Sequence, residues 1–413
     1  MINKLSLRQK NMSISVALIL NKIVNFLFVA SVLLFIDEIF KLGPTIIQAT
    51  ALSSILVAFI SPFFYTLVAN GYDQNSKTTV DMCLSAVYFI LVVTFLLSLY
   101  FNSTSLLLLL LALSLFSRGI CDPVIAVEGL IFLRSTVILC LVEPIRWSFF
   151  LAAETDDHLL IIVLLSLPVL TDMAIRYDKY LKLSKSSIVV FKNVITKVVR
   201  DKQLATGYKC IFACQSEQLL IFFWADTLSS AQSVAYIFVL QVVGFLMLVY
   251  LPYWITLLRS SVELTSTEKQ QLMHKHTKFL YKTHIAIVVA IGTFVFGYYY
   301  SESIFTMVKL LMESLSFFDK FDNISIPIVL CLITSLTIFK SVFMDINLLA
   351  TVHFFYRKVV ITYSVFLFGL LVLFSGLVKG FEFLAFIVIY VFAYLIALMY
   401  EHLTIRLGIK RGV

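Results

Sequence analysis

Charged side chains stand inside stretches of this sequence that are otherwise apolar. Arg118 and Asp122 lie four residues apart in one such stretch, and Glu143 and Arg146 lie three residues apart in the next. These spacings bring side chains together on one face of a helix, so each pair can partly neutralise itself. A guanidinium group binds phosphate through two parallel hydrogen bonds. The arginines therefore indicate an anion site, unless the pairs serve only to hold helices together.

The same pattern continues along the chain. A charge at the centre of a lipid bilayer costs about 2.5–3.5 kcal/mol on insertion scales, so it normally faces a partner or a water-filled cavity. The candidates for contact with an anionic substrate are Lys22, Arg118, Arg146 and Lys340, with Asn21 and Asn25 beside the first of them. The candidates for binding a coupling ion are Glu143, Asp172, Glu217, Asp122 and Asp345.

No arrangement of residues typical of an enzyme accompanies these charges. The chain has no phosphate-binding GxxxxGK[ST] loop, no HExxH motif and no glycine-rich dinucleotide turn. Its six cysteines fall in or at the edges of apolar runs, where cysteine is usually a packing residue. Its six histidines are expected in loops or at the ends of apolar runs. We predict no catalytic residue, no metal site, no cofactor and no enzymatic activity.

The composition places these residues in a membrane. Hydrophobic residues make up 61% of the chain and charged residues only 14%, against roughly a quarter charged in soluble proteins. About 20 apolar residues cross the ~30 Å hydrocarbon core of a bilayer. The first apolar run is too long for a signal peptide and lacks a small-residue cleavage site, so we expect it to remain in the mature protein. Twelve spans are predicted, at approximately 14–36, 44–70, 80–100, 104–127, 131–152, 158–178, 207–226, 230–258, 282–300, 324–350, 358–376 and 382–402.

Basic residues are concentrated in every second connection between these spans. Cytoplasmic segments retain Lys and Arg, and with the amino terminus inside, the inner segments hold 24 of the 32 basic residues. The outer segments hold four, beside eleven acidic residues. The pattern predicts that both termini are cytoplasmic. It also explains the net charge of +8 as a topology signal, so no nucleic-acid partner is expected.

A long basic connection divides the spans into two sets of six. Within it, Phe191, Val194 and Ile195 recur at helical spacing while Lys192 and Lys197 occupy other faces. This pattern is typical of a helix in the anionic inner interface of a membrane, although a solvated linker remains an alternative. The predicted architecture is an all-α polytopic membrane protein with two six-helix lobes around a central cavity. Its parts are an amino-terminal lobe at 1–180, a cytoplasmic amphipathic linker at 181–206 and a carboxy-terminal lobe at 207–413.

The chain resembles a known family of transporters. The stretch CQSEQLLIFFWADTLSSAQSVAYIFVLQVVGFLMLVYLPYW (214–254) has a polar seventh span, a short outer turn, and a Tyr and small-residue stretch leading to Pro252. The stretch SLTIFKSVFMDINLLATVHFFYRK (335–358) is similar to the tenth span and its exit loop. With the basic link, these features resemble the Wzx-type polysaccharide flippases of the multidrug/oligosaccharidyl-lipid/polysaccharide exporter superfamily.

The resemblance implies a function and partners. Such a protein moves undecaprenyl-diphosphate-linked oligosaccharide units of O-antigen or capsule across the bacterial inner membrane by alternating access. Basic residues in the cavity would meet the diphosphate, and acids such as Glu143, Asp172 or Glu217 would carry a coupling ion. Membrane lipids, a polysaccharide polymerase and a chain-length regulator are the further partners that the resemblance implies.

Other classes of membrane protein remain as alternatives. A multidrug exporter of the same superfamily shares the fold and would favour acids in its cavity. A polysaccharide polymerase would carry a large periplasmic loop with arginines, whereas the long basic loops here are predicted to be inside. A major-facilitator transporter would need a Gly- and Arg-rich loop after its second span, which NGYDQNSKTT (70–79) is not.

Overall fold

A computed structural model gives the fold of most of the chain. It describes residues 16, 19–21, 23–25, 27–29, 31, 42–69, 74–101, 103–152, 158–175, 185–199, 215–247, 266–303, 306–307, 326–349 and 353–410. Almost all of these residues are helical, with turns at 128–130, 226–229 and 375–381, and the described part contains no strand. The prediction of an all-α chain is confirmed.

Each predicted span contains a helix. In the first half these are α1 (Ile19–Val29), α2 (Gly43–Ala69), α3 (Gln74–Phe101), α4 (Thr104–Val127), α5 (Ile131–Ala152, with a π-helical turn at Ile138–Val142) and α6 (His158–Ile175). The predicted link contains α7 (Lys185–Val199). In the second half they are α8 (215–225), α9 (Ser230–Leu246), α10 (Ser266–Tyr300), α11 (Ile326–Leu349), α12 (His353–Phe374) and α13 (Glu382–Lys410).

Two helices extend beyond the predicted spans. The span predicted at 282–300 is the second part of α10, which begins at Ser266, so much of the preceding basic segment is helical rather than a loop. The last helix likewise continues to Lys410. Within the described residues, four helices are long and apolar enough to cross a membrane by themselves: α3, Phe132–Ala152 of α5, Lys278–Gly297 of α10 and Glu382–Tyr400 of α13. The number of twelve spans remains a prediction.

The first apolar core lies in the first half of the chain. Helix α4 is its centre, because α2, α3 and α6 all pack against it. Buried members include Leu84 of α3, Leu111 and Cys121 of α4, and Val169 of α6. The opposite face of α3 exposes large apolar residues such as Phe89 and Leu96, as expected where a helix meets lipid.

The second core is formed mainly by α8, α9, α11, α12 and α13. Trp224 of α8 stacks on Phe386 of α13 with ring centroids 3.7 Å apart, and its indole N–H donates to the Glu382 backbone carbonyl at 3.1 Å. Tyr236 of α9 packs edge-on against the same indole ring. These aromatic contacts fix the relative positions of the helices that carry the second group of buried charges.

The linker helix α7 is amphipathic, as predicted. It packs against α3 and α2, and Val194 contacts the first apolar core. Lys192 is exposed, together with Ile188 and Val189. A helix with a basic, partly apolar outer face fits a position at the membrane interface.

Candidate functional site: two buried charge clusters

The first cluster surrounds Arg146 in α5. Its guanidinium lies 2.6 Å from a carboxylate oxygen of Glu143, three residues earlier in the same helix. Both side chains are buried, and Arg146 is only 1% exposed. The structure therefore confirms the pairing that the i,i+3 spacing predicted. Breaking a buried pair of this kind by removing one partner typically costs about 3–5 kcal/mol.

Helix α1 provides further contacts to Arg146. The guanidinium donates to the Asn25 side-chain oxygen at 3.4 Å and lies 3.9 Å from the centre of the Phe28 ring. A cation above an aromatic face is stabilised by the negative charge density of the ring. Phe28 is held edge-on by Trp147, with ring centroids 5.5 Å apart, and also by Phe150. Helices α1 and α5 thus hold Arg146 from two sides.

Arg118 of α4 belongs to the same cluster. It is half-buried and close enough to Arg146 for the two positive charges to interact. Asn21 lies one helical turn before Asn25, and its side-chain oxygen is buried without a hydrogen-bond partner among the described residues. Lys22 lies outside the described residues, as does the side chain of Asp122.

A π-helical turn in α5 aligns the buried residues of this helix. The Glu143 N–H donates to the carbonyl of Ile138, five residues earlier, and Pro144 has no N–H. Arg134 and Arg146 are twelve residues apart, so in a regular α-helix they would point about 120° apart at 3.6 residues per turn. One π turn takes up one extra residue, which reduces the angle between the two side chains to about 20°. Both arginines can therefore face the protein interior.

Arg134 forms a second ion pair that the sequence analysis did not predict. Its Nε lies 2.6 Å from one Asp172 oxygen, and its Nη2 donates to the other at 2.9 Å. Arg134 lies in the first turns of α5, and Asp172 of α6 is 0% exposed. The two residues are far apart in sequence, so no local spacing could reveal the pair. Asp172, a predicted ion-coupling candidate, is thus held by a guanidinium.

The second cluster surrounds Glu217 in α8. One carboxylate oxygen accepts a hydrogen bond from the Tyr390 hydroxyl at 2.6 Å and the other accepts one from the Tyr363 hydroxyl at 3.1 Å. Glu217 is 6% exposed. The Ser216 hydroxyl donates to the Tyr363 backbone carbonyl at 3.1 Å, which ties α8 to α12. Three helices therefore position this carboxylate.

Lys340 of α11 is the charge that acts on Glu217 in this cluster. Its side chain is exposed. The prediction grouped Lys340 with the arginines, whereas the structure places it beside the carboxylate of Glu217. The side chain of Asp345, on the same helix, lies outside the described residues.

A buried histidine contacts Ser341, the residue that follows Lys340 in sequence. His284 of α10 is hydrogen-bonded to the Ser341 hydroxyl, which itself donates to the Ile338 carbonyl at 2.8 Å. His284 lies at the start of the apolar run predicted at 282–300, but the helix that contains it begins earlier, at Ser266. Among the described residues, no group of His, Cys, Asp and Glu could hold a metal ion.

Comparisons with known proteins support the fold. No family model matches the chain, and no curated protein matches it by sequence. The chain is similar in structure to the eukaryotic MATE transporter AtDTX14, with a TM-score of 0.51, 11% identity, and coverage of 97% of this chain and 95% of that chain. It is also similar to a mutant of the Vibrio cholerae MATE transporter VcmN, with a TM-score of 0.50, 14% identity, and coverage of 96% and 95%.

The fold of this chain is therefore similar to that of these two MATE transporters. This agrees with the prediction of an all-α polytopic membrane protein. A shared fold does not define a substrate, so substrate specificity has to be argued from the two charge clusters.

Proposed function

We propose that this protein is a flippase for undecaprenyl-diphosphate-linked oligosaccharides in the bacterial inner membrane. The observation that carries the proposal is the pair of guanidinium groups, Arg118 and Arg146, in the interior of the first half. Like charges in an interior of low dielectric repel each other, and an anion bound beside them offsets that repulsion. A diphosphate provides such an anion together with acceptor oxygens for the arginine fork.

The two arginines have different roles in this proposal. Arg118 is half-buried and can contact the diphosphate directly. Arg146 is enclosed by Glu143, Asn25 and the Phe28 ring, so it contributes through its charge. Asn21 and Lys22 precede Asn25 on α1 and would extend the polar surface toward the sugar.

The second cluster would couple transport to an ion. Glu217 is held by two tyrosine hydroxyls and lies close to Lys340. A proton or sodium ion at Glu217 would change the balance of charge in the second lobe, which is a change that alternating access can use. In this scheme the two lobes rock about the cavity, and both termini and α7 stay in the cytoplasm.

The test compares variants of Arg118. Loss of a charged hydrogen bond typically costs about 1.5–3 kcal/mol, and each 1.4 kcal/mol corresponds to a factor of about ten, so Arg118→Ala should lower polymer export about tenfold or more. Arg118→Lys should retain part of the export, because the charge remains but the fork is lost. Lys192→Ala, at an exposed base on α7, is the matched control and should export normally. Surface polysaccharide and membrane protein level are measured together.

A purely structural role of Arg118 predicts a different result. If Arg118 only neutralises Asp122, then Arg118→Ala and Asp122→Ala should each lower the amount of protein in the membrane, and the double Ala variant should restore both level and export. Full export by the double variant would falsify the role of Arg118 in binding the substrate.

The second candidate function is export of cationic drugs. It is favoured by the Glu217 carboxyl group, which accepts hydrogen bonds from Tyr363 and Tyr390. The Tyr390 ring also packs against Phe386. Carboxylates and aromatic faces both attract organic cations. Drug resistance that depends on the protein and is lost in Glu217→Gln, with no effect of Arg118→Ala, would select this function over the flippase.

A further inference from the structure

Gly43, at the start of α2, lies at an unusually close approach of two helices. A Cβ atom at this position would be 2.7 Å from Cβ of Ser233 in α9 and 3.7 Å from the Ser230 carbonyl oxygen. Real Cβ atoms essentially never come that close. Only glycine lets the two helices meet here, and these helices belong to different halves of the chain.

A polar contact lies beside this approach. The Gln48 side-chain amide of α2 donates to the Asp226 carboxylate at 2.6 Å, across 178 positions of sequence. Ile47 and Ala51 of α2 are buried in the second apolar core, among residues of the second half. One end of α2 is therefore joined to the second half by a close backbone contact, a charged hydrogen bond and apolar burial.

Further contacts between the described parts of the two halves lie on the same side. Besides α2, the first half contributes buried Phe28 and Leu164 to the second core, and Trp147 and Phe150 pack against it. Phe28, Trp147 and Phe150 are in the later parts of α1 and α5, and Leu164 is in the first part of α6. In the predicted orientation, these parts all point toward the outer side of the membrane. Leu52, Leu56 and Val57, further along α2, pack instead in the core of the first half.

We infer that Gly43, Gln48, Asp226 and Ser233 form the outer gate of the transporter and that the structure shows this gate closed. The inference rests on the proposed alternating-access function and on the predicted orientation. Transport requires these contacts to break, because an unbroken connection at the outer ends of the two halves would prevent substrate release there. The Gln48–Asp226 hydrogen bond and the close approach at Gly43 can both break without unfolding a helix.

Two other glycines provide matched controls. A Cβ at Gly119 of α4 would be 2.6 Å from Val57, and a Cβ at Gly369 of α12 would be 2.7 Å from Ile389. Both approaches are as close as that of Gly43, yet each lies within one half of the chain. A larger residue at Gly369 should disturb helix packing without opening the contact between the halves.

The experiment uses the full-length protein in cells, with its six native cysteines replaced by alanine. In Gln48→Cys/Asp226→Cys, a short bifunctional methanethiosulfonate reagent, which replaces the reach of the two lost side chains, should link the two positions and stop transport, and a reducing agent should restore it. Each single Cys variant is the control and should keep transporting after treatment with the reagent. If the cross-linked protein transports as well as the reduced protein, these residues do not form a gate.

A second measurement does not depend on the identity of the substrate. Ser233→Cys is buried in the closed gate, so a membrane-impermeant maleimide should label it slowly from outside. Adding Gly43→Leu should make labelling severalfold faster, whereas adding Gly369→Leu should not. Equal labelling in all three backgrounds would reject the gate. If these labelling results hold while no polysaccharide export is found, the gate stands and the proposed substrate is wrong.

Discussion

The carboxyl group of Glu217 is held in the protein interior by residues that are distant in sequence. Its two oxygens accept from Tyr390 and Tyr363, which are 173 and 146 positions away. Hydroxyl donors replace the water that a buried carboxylate loses, and Lys340 contributes an opposite charge. Three helices therefore fix this carboxyl group in the interior of the second half.

At the scale of this residue, we predict that Glu217→Gln abolishes the dependence of transport on the coupling ion. The amide keeps the size of the side chain but cannot bind a proton or sodium as a carboxylate does. Transport by the variant, measured across pH and sodium concentration, should vary much less than transport by the wild type. Glu382→Gln, at an acid near the outer turn of α13, is the matched control and should keep the wild-type dependence. Wild-type ion dependence in Glu217→Gln would remove this residue from the coupling mechanism.

At the scale of the element, the π turn of α5 decides which residues face inward. Arg134 pairs with Asp172 before the turn, and Arg146 pairs with Glu143 after it. If the same residues formed a regular α-helix without the π turn, the two parts of α5 would be rotated by about 100° relative to each other. Both buried arginines could not then face the interior.

We therefore predict that inserting one alanine after Leu141 destabilises the protein. The Leu141 side chain is exposed, so little packing is changed directly, but the extra residue rotates the two parts of α5 by about 100° relative to each other. One ion pair would have to break, at a cost of about 3–5 kcal/mol. The membrane protein level and the melting temperature in detergent should fall. Deletion of Leu141 is the control: it converts the π turn to a regular α-helix and leaves Arg134 and Arg146 about 20° apart, so it should be much milder, and an insertion variant as stable as the deletion variant would contradict this role of the π turn.

At the scale of the whole molecule, the orientation in the membrane is the prediction to check. Lys192 on α7 should be cytoplasmic and Leu377, in the turn between α12 and α13, should be outside, because basic residues collect on the cytoplasmic side. In a cysteine-free background, an impermeant maleimide should label Leu377→Cys in intact cells and Lys192→Cys only after permeabilisation. Labelling of Lys192→Cys in intact cells would show that the orientation is opposite to the predicted one.

Local patterns in the sequence determined much of this protein. The length of the apolar runs predicted a helix in every span that the structure describes, because crossing lipid requires internally bonded helices. The spacing in the link predicted α7, and the i,i+3 spacing predicted the Glu143 and Arg146 pair. Each of these depends on residues within a few turns of one helix.

Tertiary structure decided which charges meet. The Arg134 and Asp172 pair, the tyrosines at Glu217, the position of Lys340 and the burial of His284 each join residues from different helices. Composition and periodicity describe one helix at a time and contain no information about which face meets which neighbour. The π turn adds a rotation of about 100° that a regular period of 3.6 residues cannot anticipate. The contacts at Glu217 and at Gly43 were therefore visible only once the helices were packed together.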